Sequence, residues 1–172
     1  MGRIEIVRGS LLDQDVEAIV NAANTSMRGG SGIDGQVHRR AGRELLAELV
    51  KAAPHGSRTG QVVATPGFKT GFTFILHTAG PIWRGGLNGE PGYLADCYRN
   101  AAEMANELGV KSLGYCSIAT GVYGFPLDRA APIALACVQE SLGNLERVVF
   151  AMFGEKEFEV FTDTALKLKL IE

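Results

Sequence analysis

Apolar residues along this chain change period repeatedly, from short strand-like runs to longer stretches with helical spacing, and that alternation points to a layered α/β fold. Residues 4–7 and 18–21 read as strands, and residues 61–65 and 72–78 as two more, divided by the turn around Pro66, Gly67 and Gly71. Further strands are expected at 113–118 and 148–153. A helix starting near Asp34 carries Val37, Ala41, Leu45 and Leu49 on one face and ends before Pro54. Helical spacing returns over residues 94–108, stopping at Gly109, and over 130–142, where Pro132 must sit in the first turn or so. The last helix places Phe158, Phe161, Ala165 and Leu168 on its apolar face. Early strands in succession, followed by strand-helix alternation, predict a mixed sheet with helices on both faces rather than pure parallel winding.

The chain has 172 residues with no repeat, linker or shift of composition, so a single domain over residues 1–172 is expected. Its formal charge of -2 and scattered basic residues disfavour long nucleic acid as the main ligand. A small anion is still compatible, because backbone N–H groups can hold one. The sequence lacks a run of eighteen apolar residues and a secretory pattern at its start, so a soluble, cytoplasmic protein without a membrane partner is expected. Cys97, Cys116 and Cys137 are odd in number, widely spaced and mostly set in apolar stretches. They suggest core packing, with neither a disulfide framework nor a metal site.

Two glycine-rich segments stand out. Residues 30–35, Gly-Ser-Gly-Ile-Asp-Gly, match the dinucleotide fingerprint G-x-G-x-x-G and open a helix. Residues 21–29 separate the segment from its strand, however, and residues 52–56 lack the acidic residue that a ribose would need. The nicotinamide-cofactor reading, and with it an oxidoreductase, is therefore disfavoured. Glycine is common in connections, so this loop alone could be a flexible link. The second segment, residues 121–126, likewise follows a buried strand and precedes a helix. Loops of this kind converge at the carboxyl ends of strands in open α/β sheets. No Lys or Arg lies between Tyr115 and Leu127, so a phosphate bound there would rely on backbone donors. Tyr123 and Phe125 could stack on a ribose or base, although packing onto the core is the preferred role for Phe125.

Four ordered blocks together resemble the macrodomain family, in its MacroD-type hydrolase branch: residues 18–24 (AIVNAAN), 29–35 with His38, 77–83 (HTAGPIW) and 120–126 (TGVYGFP). The resemblance implies a three-layer α/β/α fold around a mixed sheet, ADP-ribose bound over the strand ends, and hydrolysis of ADP-ribose esters without a cofactor. It places Asn24 on the distal ribose and associates Asp34 with catalysis. It assigns substrate contacts to Ala22, Gly30, Ser31, Gly32 and Ile33, and wraps Thr120, Gly121, Val122, Tyr123, Gly124 and Phe125 around the diphosphate, with Tyr123 beside the distal ribose. Many members have Gly-Asp-Ile near the first strand where this chain has Gly9-Ser10-Leu11. Ser10 and Leu11 thus face the adenine end without the usual aspartate, for which Asp13 is a nearby substitute.

The chemistry of the residues is compatible with that implication. A carboxylate at Asp34 can align or deprotonate water for attack on an ester, although an aspartate before a helical run is also a favoured N-cap. Asn24 offers an acceptor and donors to a ribose diol, or a turn after the strand. His38 lies one helical turn beyond Asp34 and reads as its supporting partner rather than a base. The expected substrates are O-acetyl-ADP-ribose and ADP-ribose on acidic side chains of mono-ADP-ribosylated proteins, acted on by a monomer without metal. A non-catalytic ADP-ribose reader is the alternative.

Overall fold

A computed structural model describes residues 2–172. Six strands, β1 (Arg3–Arg8), β2 (Ala18–Ala23), β3 (Val62–Pro66), β4 (Phe74–Ala79), β5 (Ser112–Tyr115) and β6 (Arg147–Met152), form one sheet in the order β1-β6-β5-β2-β4-β3. Every neighbouring pair is parallel except β3 with β4. The mixed sheet follows from chain length. Only a short turn separates β3 from β4, which forces a hairpin, whereas parallel neighbours require a crossover.

Alternate strand residues face opposite layers, as the two-residue period demands. Ala18, Val20, Leu76, Val148 and Phe150 belong to one core cluster, while Ile19, Ile75, Val149 and Ala151 belong to the other. Helices α3 (Glu90–Glu107), α4 (Leu127–Glu140) and α5 (Glu155–Lys167) cover the first face; α1 (Gly32–Ala41) and α2 (Arg43–Ala52) cover the second. This is a three-layer α/β/α arrangement.

Three helix expectations need correction. The single helix after Asp34 is two helices, because Gly42 at φ 91° and ψ 179° interrupts it in a conformation that L side chains rarely adopt. The apolar stripe survives the break, and Val37, Ala41, Leu45 and Leu49 are all buried. Helix α4 starts three residues earlier than expected, at Leu127, which puts Pro132 in its second turn, where the Asp128 carbonyl loses its helical partner. Leu168 lies beyond the end of α5 and is exposed, so the apolar face of that helix rests on Phe161 and Ala165.

The strand expected over 113–118 ends at Tyr115. Beyond it, the Tyr98 hydroxyl donates to the Cys116 carbonyl at 3.3 Å and accepts the Ile118 amide at 2.9 Å, taking the place of a ladder partner. Strands β2 and β5 pair only through Ala18 with Leu113 and Ile19 with Gly114, then separate. A crevice opens between their carboxyl ends. From β2 the chain proceeds toward β3 and β4, and from β5 toward β6, so the crevice lies where the winding reverses. Cys97 and Cys137 are buried and Cys116 half-buried. Burial pushes the Cys97 thiol up to about 11 and that of Cys116 to about 12.

Candidate functional site

The first wall of the crevice is built by the chain leaving β2. Asn24 makes a tight turn: its Oδ1 accepts the Ser26 amide at 3.1 Å and the Ser26 hydroxyl at 2.5 Å, while its Nδ2 donates to the Gly29 carbonyl at 3.1 Å. The turn reading of Asn24 is therefore realised, and the Nδ2 group, which carries two hydrogens, makes one bond among the described residues. Helix α1 then begins with Ser31 as its N-cap residue, yet the serine side chain caps no amide. None of the amides of residues 30–34 donates to an acceptor among the described residues. Those orphan N–H groups, with the positive end of the helix dipole, make an anion cradle.

Asp34 occupies the third position of α1 and is not the N-cap. It is buried, and its Oδ1 accepts the Asn21 Nδ2 hydrogen at 2.8 Å. His38 Nε2 lies 3.5 Å from the same oxygen, close enough for Coulomb attraction but without a hydrogen bond. Burial pushes the Asp34 carboxyl above its ordinary value of 3.8, opposed by the Asn21 bond and the nearby imidazole. Gly30 separates the two principal polar groups. A β-carbon there would lie 3.3 Å from Asn24 Nδ2 and 3.2 Å from Asp34 Oδ2, so glycine lets them share one small space.

Behind Asp34 runs a buried polar chain. The Asn21 Nδ2 that serves Asp34 also lies 3.1 Å from His77 Nδ1, and His77 Nε2 lies 3.0 Å from Thr65 Oγ1. The threonine hydroxyl donates onward to the Pro66 carbonyl at 3.1 Å. Burial, with a smaller contribution from His38, lowers the His77 imidazole to about 3, which keeps it neutral at ordinary pH.

The second wall is the loop after β5. Ala119 is held at φ 67°, a left-handed conformation unusual for alanine, and its carbonyl accepts the Phe125 amide at 3.0 Å. The Gly124 amide donates to the Gly121 carbonyl at 3.0 Å, whereas no amide of residues 120–123 donates to a protein acceptor among those described. These amides make a second cradle without any cation. Trp83 locks the loop from outside: its amide donates to the Tyr123 carbonyl at 2.8 Å and its ring packs 4.7 Å from Phe125. Gly80 forms the floor. A β-carbon on it would lie 2.8 Å from Ile118 Cγ2 and 2.9 Å from Ala119 Cβ.

One cavity of about 280 Å³ joins the walls, lined by Ala22, Asn24, Asp34, residues 30–33, Gly121, Val122 and Tyr123. Ala23, Gly80, Ser117 and Ala119 complete the lining; Ala23 and Gly80 fall within the quoted blocks without a role of their own, and Ser117 and Ala119 fall outside them. The remaining candidates lie outside it. Leu11 and Phe125 are buried and their side chains pack in the core, the preferred role for Phe125. The Gly124 amide is spent within the loop, the Thr120 hydroxyl pairs with Ser117 Oγ at 2.6 Å, and His38 sits behind Asp34.

Ser10 caps the 3-10 turn of residues 11–13, its Oγ accepting the Leu12 amide at 3.2 Å. One lone pair is thereby used and the hydroxyl hydrogen remains available to a ligand. Asp13 is exposed in the same turn. The Gly9 amide, next to Ser10, donates to the Met152 carbonyl at 3.0 Å, and Phe153, the residue after β6, is an aromatic side chain left 77% exposed. The sequence places Phe153 in an apolar run, where nothing distinguishes it from core.

Among the described residues no group of three or more His, Cys, Asp or Glu side chains is placed to hold a metal, and no helix is long and apolar enough to cross a membrane.

The family model described as "Macro domain" matches residues 20–134, which include both loops. A macro domain-containing protein of Ralstonia nicotianae is 45% identical over 163 residues, covering 95% of this chain and 94% of its own. An O-acetyl-ADP-ribose deacetylase of Cronobacter turicensis is 39% identical over 165 residues, covering 93% and 94%. Among solved structures, the Oceanobacillus iheyensis macrodomain with ADP superposes with a TM-score of 0.89 at 38% identity, over 96% of this chain and 91% of that one. The Trypanosoma brucei macrodomain in complex with ADP-ribose gives 0.86 at 38% identity, over 94% and 68%. On its sequence, its fold and these likenesses, the chain belongs to the macro domain family.

Proposed function

We propose that this chain binds ADP-ribose and hydrolyses its esters. The observation that carries the reading is the placement of Asp34: a buried carboxylate, held by one amide donor, lines the same cavity as two cradles of unpaired backbone N–H groups. The cradles suit a diphosphate. Asn24 and Tyr123 then flank the ribose beyond it, and two of the relatives were solved with ADP or ADP-ribose bound.

At the adenine end the Ser10 hydroxyl donates to a ring nitrogen, and the exposed ring of Phe153 offers a stacking face. The departure from the family's aspartate thus changes this contact from acceptor to donor. In the hydrolytic step Asp34 accepts a proton from water, and the resulting hydroxide oxygen adds to the ester carbonyl carbon. The bond from that carbon to the ribose oxygen then breaks, the proton passes to the ribose oxygen, and a carboxylic acid leaves. The second Nδ2 hydrogen of Asn24, which lines the cavity, supports charge developing on oxygen.

The acyl part of the substrate has room to exceed an acetyl group. A second cleft of about 250 Å³ shares Gly80 and Tyr123 with the first and is bordered by Thr25, Arg84 and Tyr93. Its rim is stiffened by buried Glu90, whose carboxylate accepts the amides of Arg84, Gly86 and Asn88 at 2.8, 2.9 and 2.6 Å. Although burial pushes that carboxyl up, these amides hold it at about 2. The substrate class therefore includes ADP-ribose on acidic side chains of proteins as well as O-acetyl-ADP-ribose. Release of free ADP-ribose from both esters by the purified protein tests the proposal. Binding of ADP-ribose with neither ester cleaved would make the chain a reader instead.

A further inference from the structure

We propose that His77 is a positioning residue that, through the carboxamide of Asn21, fixes the direction of the Asp34 carboxylate. The inference rests on the reading of Asp34 as the group that activates water. His77 does not line the cavity, so its action is indirect.

The geometry defines one polarity for the chain of contacts. Asn21 Nδ2 has two hydrogens and two neighbours, Asp34 Oδ1 at 2.8 Å and His77 Nδ1 at 3.1 Å. For both to accept, His77 Nδ1 must present a lone pair, so the ring proton sits on Nε2 and is donated to Thr65 Oγ1 at 3.0 Å. Thr65 in turn donates to the Pro66 main-chain carbonyl, which cannot reverse its role. The series therefore starts at a fixed acceptor on β3, crosses to β4 and then β2, and ends at the carboxylate on α1.

The oxygen of the same carboxamide has no such support. Asn21 Oδ1 is buried without a hydrogen-bond partner among the described residues. The two Nδ2 contacts are thus what resists a half-turn of the amide, and a half-turn would aim oxygen at the Asp34 carboxylate. Removing the lone pair at His77 Nδ1 removes one of the two. Burial, with a smaller contribution from His38, keeps the His77 ring neutral, so it offers one lone pair and one N–H to this chain of contacts. The other titratable group facing Asp34 is His38, whose Nε2 lies 3.5 Å from the same Oδ1.

The test compares wild type, His77→Leu, His77→Asn and Thr65→Val. His77→Asn keeps an acceptor near the place of Nδ1, whereas His77→Leu removes it. Three readouts are taken: kcat and KM for O-acetyl-ADP-ribose, the pH profile of kcat, and the Asp34 side-chain carboxyl titration followed by ¹³C NMR. We expect His77→Leu to lower kcat at least tenfold with KM changed less than threefold. The acid limb and the carboxyl titration should move to higher pH together, because Asp34 loses a directed donor, and His77→Asn should restore both. Should His77→Leu fail to fold, Thr65→Val gives a smaller shift of the same sign and moves the His77 ¹⁵N resonances toward the other tautomer. An unmoved Asp34 titration in a folded His77→Leu or Thr65→Val protein overturns the proposal. A titration that moves in a protein with no wild-type hydrolysis supports the positioning while overturning the hydrolase reading.

Discussion

Gly35 in helix α1 packs directly against the carbonyl of Gly30, so closely that a β-carbon at residue 35 would lie 2.7 Å from that oxygen. The contact sets how near the first loop comes to the helix whose amides it leaves open. Backbone cannot retreat as a flexible side chain would, so Gly35→Ala displaces Gly30 and with it the gap between Asn24 and Asp34. We predict about tenfold weaker ADP-ribose binding, roughly 1.4 kcal/mol, measured by calorimetry on a protein that keeps its fold.

The two glycines of the second loop differ in what they require. Gly124 is held at φ 74°, whereas Gly121 has no positive φ and nothing within 4 Å of an added β-carbon. Gly124→Ala should therefore cost about 1 kcal/mol of stability, and Gly121→Ala close to nothing. Thermal unfolding of the two variants separates them, and equal losses would contradict the assignment.

Phe153 offers a test of the adenine end that leaves the fold alone. Its ring is 77% exposed, so Phe153→Ala removes little core packing. Loss of a stacked base costs on the order of 1–3 kcal/mol, which predicts an ADP-ribose affinity lowered about tenfold or more. Binding of ribose 5-phosphate should be unchanged. Equal weakening of both ligands would place the ring elsewhere in the mechanism.

His77 also makes stability depend on pH. Its folded value of about 3 lies below the ordinary 6.5, so the unfolded chain binds more protons between those limits. The stabilisation is complete above pH 6.5, falls as pH drops through the window, and is exhausted near pH 3. Its full size is on the order of 5 kcal/mol. Asp34 works in the opposite sense, since its raised value favours the folded state at low pH. Urea unfolding from pH 7 to 4 should show stability falling in the wild type and falling less in His77→Leu.

What the sequence revealed, and what it hid, follows from the range of the forces involved. Strand and helix periods come from burial, so the β strands, the later helices and the mixed sheet were legible. Gly42 escaped notice because the apolar stripe runs unbroken across it, from Ala41 to Leu45, and one glycine does not announce its φ. Asp34 looked like a cap because caps are local, whereas its actual partner Asn21 comes from strand β2. His77 and Thr65 are brought together only by the register of β3 on β4, in which Thr65 faces Ile75 and Val63 faces His77. Phe153 looked like core since its exposure depends on the chain leaving the sheet there. The wall contributed by Ala119 has no signal in the sequence, and Gly80 lies in a quoted block without its role being readable: small residues define an empty space by what they lack.

On the proposed reading Asp34 acts in chemistry and not in holding the ligand, and Asp34→Asn separates the two roles. The substitution keeps the shape of the side chain in its buried place and removes the group that takes a proton from water. ADP-ribose affinity by calorimetry and single-turnover hydrolysis of O-acetyl-ADP-ribose are measured on the same preparations. The account predicts affinity within threefold of wild type and hydrolysis slower by about 10²–10⁴. Hydrolysis at the wild-type rate in Asp34→Asn would contradict it.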